Sequence, residues 1–443
     1  PTTLPQLPPF NHTPTKYTGP SKAEVLAMRK EFCTPALVTY YKDPVMMVEG
    51  KMQYLWDETG KRYLDCFGGI VTVSVGHCHP KVVEAICRQS GVLNTHTRYL
   101  HEGILDYAER LTGKLGHDLS QVIMVCTGSE ANDIALRMAQ AVTGKTGIIA
   151  TDNTYHGNTA AVSALNTRRP PIGGWPGHVR RVPAPDSLKP LGGSLAAQPG
   201  AFAANVARAI GELEAVGHGF AGLMLCPIFA NEGLPGGTPG FLDATVAVVR
   251  KAGGVILCDE VQPGFGRMGS HWWGHEWLGF APDVVTMGKP MGNGHPVAAV
   301  VARPDVMAAF REAFGYFNTF GGNPVCCAAA MAVLDVIEEE GLVAHAKGVA
   351  DYTLSLLKGL QHPLIHEARG TGLFFGVELA RDGVPAPEAA AAVVEGMKAR
   401  GVLIGRIGRA QHILKLRPPM PFSRENADMA VAALAGALAE VRA

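Results

Sequence analysis

Net charge is the first thing this 443-residue chain lacks. Its 39 Lys+Arg cancel its 39 Asp+Glu, and charged residues make up only 18% of it. That balance argues against a nucleic-acid binder working through general phosphate attraction. Long apolar runs are missing too: no stretch approaches the roughly eighteen residues that a membrane-spanning helix needs. The nine cysteines are an odd number without a C-x-x-C, and several sit inside apolar runs such as V-I-M-V-C and V-I-L-C. This pattern predicts reduced, buried thiols in a cytoplasmic protein rather than a disulfide framework. The opening P-T-T-L-P-Q-L-P-P-F has no basic region followed by an apolar core, so it does not read as a signal peptide. No internal repeat is visible.

What the chain does have is a core and many turns. Apolar residues reach 47%, with 53 Gly and 31 Pro, which suits a globular protein of two or three domains. Residues 1–20 read as a Pro-rich extended arm, 21–32 as a helix and 45–66 as a small meander. From about residue 80, short apolar runs alternate with helical stretches: 122–126, 147–150, 223–226, 255–258, 283–287 and 297–302. Runs of four to six apolar residues between helices predict a mostly parallel sheet buried on both faces. The region 168–200 has no periodicity and reads as a long loop. After Gly322-Asn323-Pro324 the texture becomes Ala-rich helices around a few strands, read as a smaller α+β domain. The expected division is 1–65 arm and small-domain segment, 66–325 large domain and 326–443 small domain.

Some motifs reduce to ordinary structure. G-F-G-R-M-G (264–269) fits a dinucleotide fingerprint on paper, but no helix start follows it and its acidic residues precede it, so a turn is expected. His77-Cys78-His79 lacks a third ligand at metal spacing, and Pro363 breaks the helix that would align His362 with His366. No metal site is expected.

Three other motifs carry chemistry. T-G-S-E-A-N-D (127–133) joins a buried strand to a helix start, where free N–H groups attract an anion, although Ser129 as a plain helix cap explains it equally well. C-D-E-V-Q (258–262) ends a strand where parallel sheets place their ligand crevice. T-M-G-K-P (286–290) puts Lys289 on the loop after another strand, where burial turns a lysine toward a nucleophilic amine. A phosphate anchor, a carboxylate and a loop lysine at one sheet edge are what pyridoxal phosphate requires.

With G-H-C-H-P (76–80), T-Y-H-G (154–157) and N-T-F-G-G-N-P (318–324) in the same order, the sequence resembles the class-III pyridoxal-phosphate aminotransferases of fold type I over nearly its whole length. Three segments are similar to the alanine–glyoxylate aminotransferase 2-like sub-branch that includes phospho-lyases: V-L-N-T-H-T-R-Y-L-H (92–101), M-G-N-G-H-P (291–296) and I-L-K-L-R-P-P-M (413–420). The resemblance implies an α/β fold with a large domain on a mostly parallel sheet plus a small α+β domain. It also implies a homodimer with a shared active site. Carried over residue by residue, it makes Lys289 the Schiff-base lysine and pairs Asp259 with the pyridine nitrogen. It sets Gly128 and Ser129 on the phosphate, Tyr155 and Val261 on the two ring faces, and Gln262 near the ring hydroxyl. Thr319 would reach the phosphate of the neighbouring subunit.

The substrate side transfers less well. Where many members have glutamates, this chain has Cys226 and Asn231, which predicts a basic substrate site without an internal counter-ion. The usual carboxylate-clamping arginine falls at Lys415, with Arg417 beside it. Lys415, Arg417, Arg406 and Arg409 are the anion-binding candidates, followed by Arg98 and Arg168. The implied reaction moves an amino group from an amine to a keto acid; elimination of phosphate from a phosphorylated amine is the alternative.

Overall fold

The six short apolar runs become strands of one sheet, and a seventh strand that the sequence did not show joins them. They are β4 (Gln121–Val125), β5 (Ile148–Thr151), β6 (Val179–Val182), β7 (Gly222–Leu225), β8 (Val255–Asp259), β9 (Val284–Met287) and β10 (Ala298–Ala302). The computed structural model describes residues 9–166, 170–235 and 237–441. The sheet order is β4-β10-β9-β8-β7-β5-β6, parallel except for β10, which runs antiparallel to both of its neighbours.

The continuous apolar character of these strands follows from burial on two sides. Neighbouring residues point to opposite faces. Ile148, Met224, Leu257 and Val300 therefore pack on one side, with Ile134 and Leu136 of the helix Gly128–Thr143. Ile149, Leu223, Ile256 and Val301 pack on the other side, with Phe202 and Val206 of the helix Gln198–Ala215.

The stretch 168–200 is not the uniform loop that its composition suggests. It holds β6 as an edge strand paired to β5, then the first turn of the helix Gln198–Ala215. Two factors hid them. β6 is only V-R-R-V, with half-buried arginines in the middle, and Pro199 lies in the helix's first turn, where a missing N–H costs nothing.

Two further sheets flank this body. The meander β1 (Met47–Lys51), β2 (Tyr54–Asp57) and β3 (Arg62–Asp65) is extended by β14 (Val402–Leu403), which pairs parallel to β3 and ties the two ends of the chain together. The other sheet runs β11 (Ile365–Thr371), β12 (Phe374–Arg381), β16 (Ile413–Leu416) and β15 (Gly405–Ile407), with β13 (Val384–Pro385) paired to β12. The helices Leu342–Gly359, Pro387–Ala399 and Arg424–Ala439 pack around it. β16 thereby brings its polar residues toward the carboxyl ends of β7, β8 and β9, where an open α/β sheet has its crevice.

Candidate active site

β8 ends on Asp259, 5% exposed. Both of its carboxylate oxygens are committed. Oδ2 accepts from His156 Nδ1 at 2.6 Å and from Asn132 Nδ2 at 3.1 Å, and Oδ1 accepts from the Val261 N–H at 3.0 Å. Asn132 is fixed in turn by Thr286 Oγ1, which donates to its Oδ1 at 2.6 Å. Three donors thus hold the carboxylate in one orientation at the strand end.

The turn after β9 carries Lys289. Burial holds its amine below the ordinary lysine range, with nearby Arg417 pushing the same way and Asp259 opposing. The helix Gly128–Thr143 begins opposite. Its cap is Thr127, whose hydroxyl and Glu130 form a capping box, so Ser129 is not the cap. Ser129 instead turns its Oγ outward to accept from the Asn158 N–H at 3.0 Å. Gly128 has to be glycine: a Cβ there would come within 2.9 Å of Val261. A cavity of about 100 Å³ is lined by Gly128, Ser129, Tyr155, Asp259, Val261, Gln262 and Lys289. It opens into a cleft of about 810 Å³, and Tyr155, Asn231, Gln262 and Lys289 line both.

The basic candidates separate by position. Lys415 and Arg417, 1% and 5% exposed, line the cleft wall together with Lys289. Arg417 donates to Gln262 Oε1 at 3.0 Å and stacks its guanidinium on Phe67, 5.1 Å from the ring centroid. Arg406 sits at the rim and donates to the Pro387 carbonyl at 3.1 Å. Arg409 lies outside the cleft, in an exposed ion pair with Asp152. Arg98 also lies outside it, 4.2 Å over the Phe317 ring, and Arg168 is outside the described residues. Thr319 is exposed on the loop before the helix Pro324–Glu339 and does not line the inner cavity of its own chain.

The site is not without an internal acid. Glu232, one position beyond Asn231, is 8% exposed and accepts from Thr151 Oγ1 at 2.6 Å and from the Asn231 N–H at 3.0 Å. Burial pushes its carboxyl up. Neither Glu232 nor the Asp259 partners His156 and Asn132 were singled out from the sequence. His156 and Asn132 lie within T-Y-H-G and T-G-S-E-A-N-D, so the motifs contained them; Glu232 had no signal.

Outside the cleft, His77 pairs with Asp65 at 2.8 Å and His79 with Glu340 at 3.0 Å, so the two rings serve different partners. Cys258, Glu260 and His275 do bring their ligand atoms within 4.8 Å of one another. Both Glu260 oxygens, however, are taken by the Gly274 and His275 N–H groups, and burial holds the Cys258 thiol protonated. That cluster closes the start of a short helix.

Residues 38–438 match the model of the family described as Aminotransferase class-III. The chain belongs to that family. The aminotransferase is 40% identical over 437 residues to "Alanine--glyoxylate aminotransferase 2 homolog 2, mitochondrial" of Arabidopsis thaliana, covering 97% of this chain and 90% of that protein. It is 35% identical to the human "Alanine--glyoxylate aminotransferase 2, mitochondrial", over 99% of this chain and 90% of that one. Among solved structures, a phospholyase from Arthrobacter in complex with phosphoethanolamine superposes with a TM-score of 0.90 at 38% identity, covering 94% of this chain and all of that one. An (S)-enantioselective omega-transaminase from Thermomicrobium roseum superposes with a TM-score of 0.85 at 27% identity, over 96% of this chain and 99% of that one.

The fold is fold type I, and the aminotransferase is a pyridoxal-phosphate enzyme. The cavity fits that cofactor. A helix start kept bare by Gly128 suits a phosphate, a carboxylate at Asp259 that three donors orient and that keeps acceptor capacity on Oδ1 suits a ring N–H, and a half-buried amine at Lys289 suits an aldehyde.

Proposed function

We propose that this aminotransferase takes the amino group from a small anionic amine and passes it to a keto acid in two half-reactions, with Lys289 as the catalytic amine. The observation that carries the reading is the buried pair Lys415 and Arg417, facing Lys289 across one cleft. An acid group of the substrate would meet Arg417, which Gln262 and Phe67 hold in place, while its amine faces Lys289. Bound pyridoxal phosphate supplies the electron sink that makes a substrate C–H bond acidic. Asp259 keeps that sink charged through a fixed negative charge. Lys289 Nζ would hold the cofactor and would move the proton as general acid and base. Gly128 and Ser129 would hold the phosphate, and Tyr155 and Val261 would pack on the ring.

A second reading has one specific support. The Arthrobacter phospholyase is similar over 94% of this chain, and two buried basic residues would also suit a phosphate leaving group. One assay separates the two: incubate the holoenzyme with phosphoethanolamine and with alanine, each with and without glyoxylate, and measure amino-acid product, ammonia and phosphate. Transfer gives a new amino acid only when keto acid is present. Release of equal ammonia and phosphate without keto acid would replace the transaminase reading by the lyase one.

We also propose a homodimer in the reducing cytoplasm. All nine cysteines are free thiols, and Leu100, Phe317 and Phe320 stand exposed near Thr319 in the chain or on the neighbouring 91–101 segment, an apolar surface that a second copy would cover. Thr319 would then contact the partner's cofactor phosphate. Sedimentation at assay concentration should give a dimer, and a fully active monomer would contradict it.

A further inference from the structure

Lys415 stands in the middle of β16, opposite Gly376 of β12 and Gly405 of β15, two neighbours without side chains. Its side chain is 1% exposed and its Nζ donates to the Ala230 carbonyl. A charged ammonium has three donors to satisfy. Among the described residues, no carboxylate lies within ion-pair distance of it.

The groups that face it account for this. Arg417 follows on the same stretch of chain, and Lys289 enters from the turn after β9; both disfavour a positive charge at Nζ. Cys226, at the end of β7, and Glu232, in the loop beyond it, favour one. Burial holds the Cys226 thiol protonated, so it brings no charge. Glu232 is occupied by Thr151 and the Asn231 N–H, and burial raises it as well. On the flanking strands, Glu378 of β12 is taken up by Arg369 and His412, and Arg406 of β15 sits at the rim. Burial comes first among the causes that hold the Lys415 amine well below the usual lysine range. Lysine can respond in this way, whereas arginine stays charged.

We propose that Lys415 is a proton-coupled anion receptor, uncharged in the resting cleft and taking up one proton from solvent when an anionic substrate enters. The only bond formed is N–H at Nζ, to a proton given up by the solvent, and the arriving anion supplies the ion-pair partner that Lys415 lacks at rest. A neutral substrate would draw no such proton and would meet Arg417 as the one charged member of the pair, so one cleft could accept both an acidic donor and an uncharged amine. The proposal rests on the anion-binding reading of the cleft.

The test is calorimetry of sulfate binding to the cofactor-loaded enzyme, repeated in two buffers of different ionisation heat. Sulfate does not titrate near neutrality, so any proton taken up belongs to the protein. About one proton per sulfate is expected at pH 8, with affinity falling about tenfold per pH unit wherever the free amine is neutral. Lys415→Arg, charged throughout, should bind sulfate with no uptake and no such slope. Lys415→Met should bind more weakly, also without uptake. Sulfate binding to wild type without proton uptake, or uptake that persists in Lys415→Arg and Lys415→Met, overturns the proposal. Sulfate binding to none of the three proteins overturns the anion-binding reading itself and the proposal with it.

Discussion

Lys289→Ala is expected to lower turnover by about a thousandfold or more, the scale of a positioned general acid–base catalyst and above. The variant should also lose covalent retention of the cofactor: borohydride treatment fixes a pyridoxyl group on the 289 peptide of wild type and on no peptide of the variant. Folding should not suffer. Lys289 is packed near Arg417 in a setting that already disfavours its charge, so removing it takes a like charge out of a buried cluster. Lys289→Arg should not restore activity, because a guanidinium stays protonated and is no nucleophile. A pyridoxyl label on another lysine, or turnover within tenfold of wild type, would assign the amine role elsewhere.

Asp259→Asn should keep the cofactor and lose most of the chemistry. An opposite charge held close shifts a partner's pKa by about 1–3 units, and each unit is worth about 1.4 kcal/mol. Losing that hold on the ring proton corresponds to a fall of about 10- to 1000-fold in rate. The geometry adds to the loss. Oδ2 already accepts from His156 and Asn132, and Oδ1 from the Val261 N–H. Whichever way the new amide turns, its NH2 faces a donor. The phosphate end at Gly128 and Ser129 is untouched, so equilibrium dialysis should find the cofactor still bound. Turnover near wild type would rule out the electrostatic role of Asp259.

Much of this was legible in the sequence because it is written locally. Apolar runs of four to six residues between helices specify strands covered on both faces, and β5, β7, β8 and β9 fall within one residue of those runs. T-G-S-E-A-N-D, C-D-E-V-Q and T-M-G-K-P each sit at a strand's carboxyl end, and parallel strands put their carboxyl ends on one edge. The linear order alone therefore assembled Gly128, Asp259 and Lys289 in one place.

Signals that cancel locally did not come through. In β6, V-R-R-V, an edge strand needs only its two valines buried, which leaves no periodicity to read. Thr127 displaced Ser129 as the helix cap, because Glu130 completes a capping box with a residue two positions earlier than expected.

What the sequence determined by itself was the large sheet, its ligand edge and the meeting of Gly128, Asp259 and Lys289 around one cavity, since alternation, strand length and glycine at a helix start act over a few positions. Only the tertiary structure sorted the basic residues of the cleft. Lys415, Arg417, Arg406 and Arg409 lie within twelve residues and look alike as letters. Their burial and partners depend on how β16 docks against the loops after β7 and β8. That docking buries Lys415 and Arg417 against Ala230 and Gln262, leaves Arg406 at the rim and pairs Arg409 with Asp152 outside. It also brings Glu232 near Lys415. A charge's environment is set by atoms distant in sequence, so no local pattern could have sorted these four cations.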